Sequence, residues 1–166
     1  DGIPHATPTF ANVTSIGKGV SEGKRTITFR DNAGGFYWNS LFTEWGKGID
    51  IENLPAGEDS RNRLEVGDLK IMNNLFENVA DDMLTTILVD SDGNALTSHP
   101  NVAGNAATTL GMNGVIPTAT IAPAIWTGFD DMSWFEAPSF KGAFNPDGSN
   151  MWIEGWTLTD EATVIQ

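Results

Sequence analysis

The chain has 166 residues, enough for one domain with a hydrophobic core that needs no disulfide or metal to hold it together. Nine Lys and Arg against 22 Asp and Glu give a formal net charge of −13, so phosphate backbones are repelled and no nucleic-acid partner is expected. Cysteine is absent, which excludes disulfides and thiolate sites, and no apolar run approaches the roughly 20 residues expected in an integral membrane protein.

The first half of the chain contains a repeat marked by asparagine. Similar stretches surround Asn12, Asn39 and Asn73, which are 27 and 34 residues apart, and apolar side chains line up on both sides of each. Repeats of about 20 to 50 residues with short strands indicate a solenoid in which each coil covers the next. Asparagine tolerates left-handed backbone geometry, and its amide can bond to the same amide one coil away. We therefore predict a ladder of these three side chains.

Short segments that alternate apolar and polar residues follow the asparagines. Thr26–Asn32 (TITFRDN) and Gly48–Asn53 (GIDIEN) have the period of half-buried strands, and Leu84–Asp90 (LTTILVD) is a third candidate. The seven additional residues of the second interval fall in the polar stretch Leu54–Gly67, which we predict to be a surface loop.

The repeat fades in residues 91–166, which are rich in loops and small residues. Pro117 and Pro123 exclude a helix interior there. An open solenoid end exposes unpaired strands and apolar core, so this half is predicted to cap the coils formed by about residues 1–90. Together the two parts form a single domain, residues 1–166.

The closing segment Phe140–Asp160 resembles the C-terminal segment of secreted bacterial right-handed parallel β-helix proteins. The groups that carry the resemblance are Gly142-Ala143-Phe144, Trp152 and Gly155-Trp156-Thr157. The stretch Ile27–Asn53 is similar to the coil repeats of the same proteins. The resemblance implies an all-β fold, namely a short right-handed parallel β-helix (β-solenoid) with a loop-rich C-terminal cap. It also implies export to the cell surface or the medium.

A possible calcium site lies in the sequence DSDGN. Asp90, Asp92 and Asn94 place oxygen ligands at alternate positions ahead of a tight turn, as calcium loops do. The glutamate that an EF-hand requires further on is missing, and an Asp-Gly turn forms without metal. Calcium is a candidate cofactor on this pattern, and a plain turn is the simpler interpretation.

A second candidate site consists of carboxylates. Lyases and hydrolases with a β-helix fold use clustered carboxylates, often with calcium and a basic residue. Asp31, Asp50 and Glu52 are the carboxylates available here, with Arg30 and Lys70 as basic residues. Alternation would direct Asp50 and Glu52 to one outward face, with Asp31 one coil away. Because outward positions must be polar in any case, a solvated surface is the simpler interpretation.

Six tryptophans are the feature of the composition that most suggests function. Aromatic rings stack on the apolar faces of sugars and anchor protein interfaces. Trp45 is the first candidate for an exposed ring that binds a ligand, followed by Trp126 and Trp134, and packing in the core is the simpler interpretation for any single tryptophan. Trp152 and Trp156 are assigned to packing of the closing segment.

The sequence thus predicts a non-catalytic structural or binding module, secreted or at the cell surface. Its partner would be another protein subunit or a surface glycan. The alternative is a carbohydrate-active enzyme or its binding module, acting through Asp31, Asp50 and Glu52. A third hypothesis is a fragment whose preceding coils carry the function, which an uncapped first coil near Phe10 would support. The histidines, His5 and His99, lie far apart beside prolines and give no support for a Ser-His-Asp triad.

Overall fold

The computed structural model describes residues 3–55, 59–80, 84, 87–90, 92–129, 133–149, 151–155 and 157. Its regular structure is mostly β. In chain order the strands are β1 (Thr9–Ala11), β2 (Thr14–Ile16), β3 (Thr28–Phe29), β4 (Gly35–Trp38), β5 (Leu41–Trp45), β6 (Asp50–Ile51), β7 (Leu69–Met72), β8 (Leu75–Val79), β9 (Val102–Ala103), β10 (Ala106–Ala107), β11 (Met112–Asn113) and β12 (Ile116–Pro117). A 3-10 turn covers Val20–Glu22, and the helix α1 covers Ser60–Val66.

Two parallel sheets form the body of the protein. Their strand orders are β1-β4-β7-β9 and β2-β5-β8-β10, so each coil adds one strand to each sheet. Strands β3 and β6 pair in parallel on a third side, within the two segments predicted from alternation, and β11 and β12 form a separate hairpin. The fold is therefore the short right-handed parallel β-helix that the sequence predicts.

Each repeated asparagine forms the corner between the two sheets. Asn12, Asn39 and Asn73 have φ angles of 52°, 51° and 59°. Asparagine visits this left-handed region more readily than other non-glycine residues, which accounts for its recurrence. The strands before and after the corners pair in register, so the spacing of the asparagines is the spacing of the coils.

The predicted ladder of these three amides does not form, and the Asn12 and Asn39 amides bond instead to the C-terminal half. The Asn39 amide donates to the backbone oxygen of Ile125 and accepts from its N–H, both at 3.0 Å. Asn12 Nδ2 donates to the Phe140 oxygen at 2.7 Å. These bonds direct the Asn12 and Asn39 side chains to the C-terminal half instead of to each other.

A side-chain ladder runs one residue later along the chain. Asn74 Oδ1 accepts from the Ser40 N–H at 2.9 Å, and Asn74 Nδ2 donates to Asn105 Oδ1 at 3.0 Å. Ser40 Oγ in turn accepts from the Val13 N–H at 3.1 Å. These bonds satisfy backbone groups where the chain turns between the sheets.

The stacking extends beyond residue 90, where the sequence pattern fades. Strands β9 and β10 add a fourth coil, with Ala106 opposite Leu75. At its corner Gly104, with a φ of 68°, stands where the earlier coils have asparagine. A Cβ at this position would lie 2.0 Å from Asn73 Oδ1, so only glycine fits. Two-residue strands and a glycine corner explain why the sequence pattern hides this coil.

The core runs through the coils as a continuous column. Phe42 and Phe76 stack within it, with ring centroids 5.2 Å apart. Burying each large apolar side chain contributes roughly 1.5–3 kcal/mol. The members are Phe29, Phe42, Ile49, Ile51, Leu64, Leu69, Ile71, Phe76, Leu84, Ile87 and Val102.

The predicted surface loop Leu54–Gly67 contains the helix α1. Asp59 caps its N-terminus by accepting from the Asn62 N–H at 2.9 Å, and Gly67 ends it in a left-handed conformation. Among the described residues, no helix has both the length and the apolar character needed to cross a membrane. Of the third predicted strand, Leu84–Asp90, the described residues form one isolated antiparallel bridge, between Val89 and Ala95.

The loop-rich C-terminal half lies along the flank of the β-helix. The Gly142 N–H donates to the Asn39 oxygen at 2.9 Å, and the buried Lys141 donates through Nζ to the Asn73 oxygen. With the bond from Asn12 to Phe140, the segment around Lys141 crosses three successive coils. The sequence predicts a cover for an open end, whereas these contacts cover the row of corners.

At the start of the β-helix, β1 and β2 are the edge strands of their sheets. Phe10 stacks on Tyr37 with centroids 5.2 Å apart and is 44% exposed. The hypothesis that the chain is a fragment stays a prediction.

Candidate functional site

The predicted carboxylates lie on the third side of the β-helix. Asp50 and Glu52 flank the buried Ile51, so they share an outward face as alternation predicts. Glu52 Oε2 accepts from the Asp31 N–H at 2.9 Å, which places Asp31 beside Glu52. Asp50 instead forms an ion pair with Arg25, at 3.7 Å between Oδ2 and Nε. The face therefore carries two separate polar contacts, Asp31 with Glu52 and Arg25 with Asp50. The three carboxylates do not form one group.

The basic residue beside these carboxylates is Arg25, which the sequence analysis missed. Arg30 is exposed, and Lys70 lies in the sheet of β1 and β4, with Nζ 4.9 Å from the centre of the Phe36 ring. Arg25 lies just before β3, and its backbone forms an isolated parallel β-bridge with Lys47 in the next coil. The sequence signal for Arg25 is its position shortly before β3, the strand that pairs with the strand of Asp50.

In the described ranges, no three His, Asp or Glu side chains come close enough to share one metal ion. In the DSDGN turn, Asp90 Oδ1 accepts from the N–H groups of Asp92 (3.0 Å) and Asn94 (2.8 Å). Asn94 Nδ2 also donates to Asp90 Oδ2 at 2.9 Å. The hydrogen bonds from Asn94 lower the pKa of Asp90. The turn therefore satisfies its own carboxylate, and calcium stays a prediction.

Trp45 and Trp126 are half-buried, contrary to the exposure expected of them. Trp45 is in β5, packs against the core and donates through Nε1 to the Ser15 oxygen at 3.3 Å. Trp126 donates to the Pro138 oxygen at 2.9 Å and contacts Phe129 edge to face. Both rings are occupied in packing.

Two other indoles are well exposed. Trp134, the third predicted binding residue, is 86% exposed, while its neighbour Phe135 turns inward against Phe129, 5.4 Å away. Trp152, which the sequence analysis assigned to packing, is 58% exposed. Its partner in that assignment, Trp156, lies outside the described residues.

Trp152 is held in place although it is exposed. Its ring stacks on the buried Phe144, at 5.6 Å between centroids and 7° between planes. Its Nε1 donates to the Ala143 oxygen at 3.0 Å, and the Ala143 N–H donates to Thr14 Oγ1 at 2.9 Å. This chain of contacts fixes the indole to the second sheet of the β-helix, and we call Trp152 with Phe144 the aromatic platform.

A comparison with protein families agrees with the fold. A family model described as a pectate-lyase-like β-helix domain matches residues 1–157. The chain belongs to this family. No curated protein and no solved structure matches it.

In this pectate-lyase-like β-helix domain, the segment around α1 borders a cavity of about 520 Å³. Arg61 in its wall is 3% exposed and donates through Nη1 to the Ile87 oxygen at 2.6 Å, while its Nε lies 3.0 Å from Glu65 Oε1. Its Nη2 is covered and has no partner, so this guanidinium nitrogen faces protein rather than the cavity. The lining residues are Asn53, Leu54, Pro55, Asp59, Arg61, Asn62 and Glu65.

Proposed function

We propose that this protein is a non-catalytic module that binds a glycan through the aromatic platform, with Trp134 as a second contact. The observation that supports this most directly is the exposed Trp152 ring held flat on Phe144. A sugar ring has an apolar face of C–H groups that stacks on indole. The outer face of the Trp152 ring is available for such a stack, because the side chain is 58% exposed.

The rigidity of the platform favours binding. The indole is restrained by the stack on Phe144 and by the bond from Nε1 to Ala143, so little conformational freedom remains to be lost when a ligand docks. The bond from Ala143 to Thr14 carries this rigidity to the coils. A ring that moved freely would bind the same sugar less tightly.

The family match and the resemblance support a class of partner and a location for this module. The family description refers to pectate lyase, which supports a polysaccharide as the class of partner. Export to the cell surface or the medium, implied by the resemblance, would place the module where glycans occur. A protein partner would instead use the first coil, whose edge strands carry the exposed Phe10 in β1 and Ile16 in β2.

A second candidate function is carbohydrate-active catalysis on the third side of the β-helix. The observation that favours it is that Asp31, Asp50 and Glu52 lie on this one side, where Glu52 accepts from the Asp31 N–H and Arg25 pairs with Asp50. Incubation with polysaccharides and measurement of new reducing or unsaturated ends tests this candidate. Release that the Glu52→Gln variant abolishes would establish catalysis.

Isothermal titration with soluble glycan oligomers tests binding. Trp152→Ala is expected to weaken the affinity at least about tenfold, equivalent to about 1.4 kcal/mol, because one full stacking surface is lost. Val66→Ala is the matched control, since Val66 is an exposed apolar residue on α1. Equal affinity of the Trp152→Ala variant and the wild type would refute the assignment, as would the failure of every glycan to bind.

A further inference from the structure

The two exposed tryptophans share a local pattern. Each is followed two residues later by an exposed glutamate, in Trp134-Phe135-Glu136 and Trp152-Ile153-Glu154. The middle residue turns inward in both: Ile153 is 4% exposed, and Phe135 packs on Phe129. Each unit therefore presents an indole and a carboxylate on the outer surface of the protein.

The C-terminal half of the sequence is strongly acidic. Residues 71–166 contain 12 Asp and Glu, and Lys141 is their single Lys or Arg. Lys141 is 1% exposed and bonded to the Asn73 oxygen, so it offers no surface cation. The net negative charge of this half of the chain would repel a polyuronate.

The carboxylates of Glu136 and Glu154 are open to a cationic ligand. None of the ion pairs among the described residues involves Glu136 or Glu154. An ammonium group placed beside an indole is attracted by the ring face and, here, by the neighbouring carboxylate as well. An uncharged sugar would gain only the free energy of stacking on the indole.

From this arrangement we infer that the glycan carries ammonium groups, as a polymer of unacetylated amino sugars does. Trp134 with Glu136 and Trp152 with Glu154 are two subsites for it. The inference rests on the proposed glycan-binding function and specifies its ligand class. The family description refers to pectate lyase, whereas the charge of this half of the chain selects against acidic polymers.

Three oligomers of equal length serve as probes: glucosamine, N-acetylglucosamine and galacturonate. Titrations are run at a pH at which the amines are protonated. We expect the glucosamine oligomer to bind at least about tenfold more tightly than the other two, and added salt to weaken it. Glu154→Gln and Glu136→Gln should each reduce its affinity about three- to tenfold and leave the affinity for the acetylated oligomer unchanged.

Glu22→Gln is the control for net charge, because Glu22 is an exposed carboxylate on the first coil. Weakening by this control equal to that of Glu154→Gln would overturn the subsite assignment. Equal binding of the acetylated oligomer would overturn the ligand class and leave glycan binding intact. If none of the oligomers binds, the proposed function fails together with the inference.

Discussion

Trp152 and Phe144 lie with their rings 7° from parallel and their centroids 5.6 Å apart, the first more than half exposed and the second buried. A buried ring thus supports an exposed one, and the buried ring sits two residues after a Gly142 that contacts the coils. The platform is therefore a product of how the C-terminal half packs on the β-helix.

The support beneath the platform can be tested by replacing Phe144 with leucine. The variant keeps an apolar side chain of similar volume, so the free energy of unfolding should fall by less than about 1.5 kcal/mol. Glycan affinity should fall several-fold, because Trp152 loses the flat surface that orients it. Urea unfolding and titration of the same samples separate the two effects. Unchanged affinity would show that the stack has no part in binding.

The corner conformation predicts different results for two substitutions at Asn39. Asn39→Gly keeps the left-handed backbone but loses both bonds to Ile125, a loss of about 2 kcal/mol. Asn39→Ala loses the same bonds and adds left-handed strain of roughly 1–2 kcal/mol. Urea unfolding should therefore rank wild type above glycine above alanine. Equal stability of the two variants would contradict the role of the φ angle.

Gly104 offers a test of the fourth coil. Gly104→Ala should be destabilised both by its φ of 68° and by the approach of the new Cβ to Asn73 Oδ1. Gly93 is the matched control, because its φ is 85° and nothing lies within 4 Å of its ideal Cβ. Thermal unfolding should show a larger loss for Gly104→Ala than for Gly93→Ala. Equal losses would mean that the coil packs less closely at this corner.

Burial of Lys141 makes stability depend on pH. Desolvation lowers the pKa of Lys141 from 10.5, so above the lowered value the unfolded chain holds more protons than the folded chain. The free energy of unfolding should therefore rise with pH in that range, and Lys141→Met should lose the rise. Burial raises the pKa of Tyr37 above 10.0, which opposes the effect at higher pH. Measurements should stop near pH 9.5, and a parallel pH dependence of the two proteins would refute the assignment.

The coil spacing could be read from the sequence because a left-handed corner restricts the residue that occupies it. Asn12, Asn39 and Asn73 satisfy that restriction, and their separation gives the pairing of the strands. The fourth corner is Gly104, and glycine is too common in turns for its position to indicate a repeat. The route of the C-terminal half could not be predicted, since its bonds join residues as far apart as Asn12 and Phe140.

The binding surface was predicted less well than the fold. Trp134 is exposed as expected, but Trp45 lies against the core because it belongs to β5. Exposure of Trp152 depends on which face of the closing segment meets the coils, and no local pattern encodes that choice. The Glu52 carboxylate does reach the backbone of Asp31, because the two strands that alternation predicts, β3 and β6, are paired.

The most direct test of glycan binding is an NMR titration that follows the indole N–H resonances of the six tryptophans. With a bound glycan, the resonances of Trp152 and Trp134 should shift with the same affinity, while that of Trp38, only 2% exposed, stays in place. Assignment by single Trp→Phe variants identifies each signal. If the signals of Trp152 and Trp134 stay unchanged while a glycan binds elsewhere, or if no glycan shifts any of the six, the account of the platform is wrong.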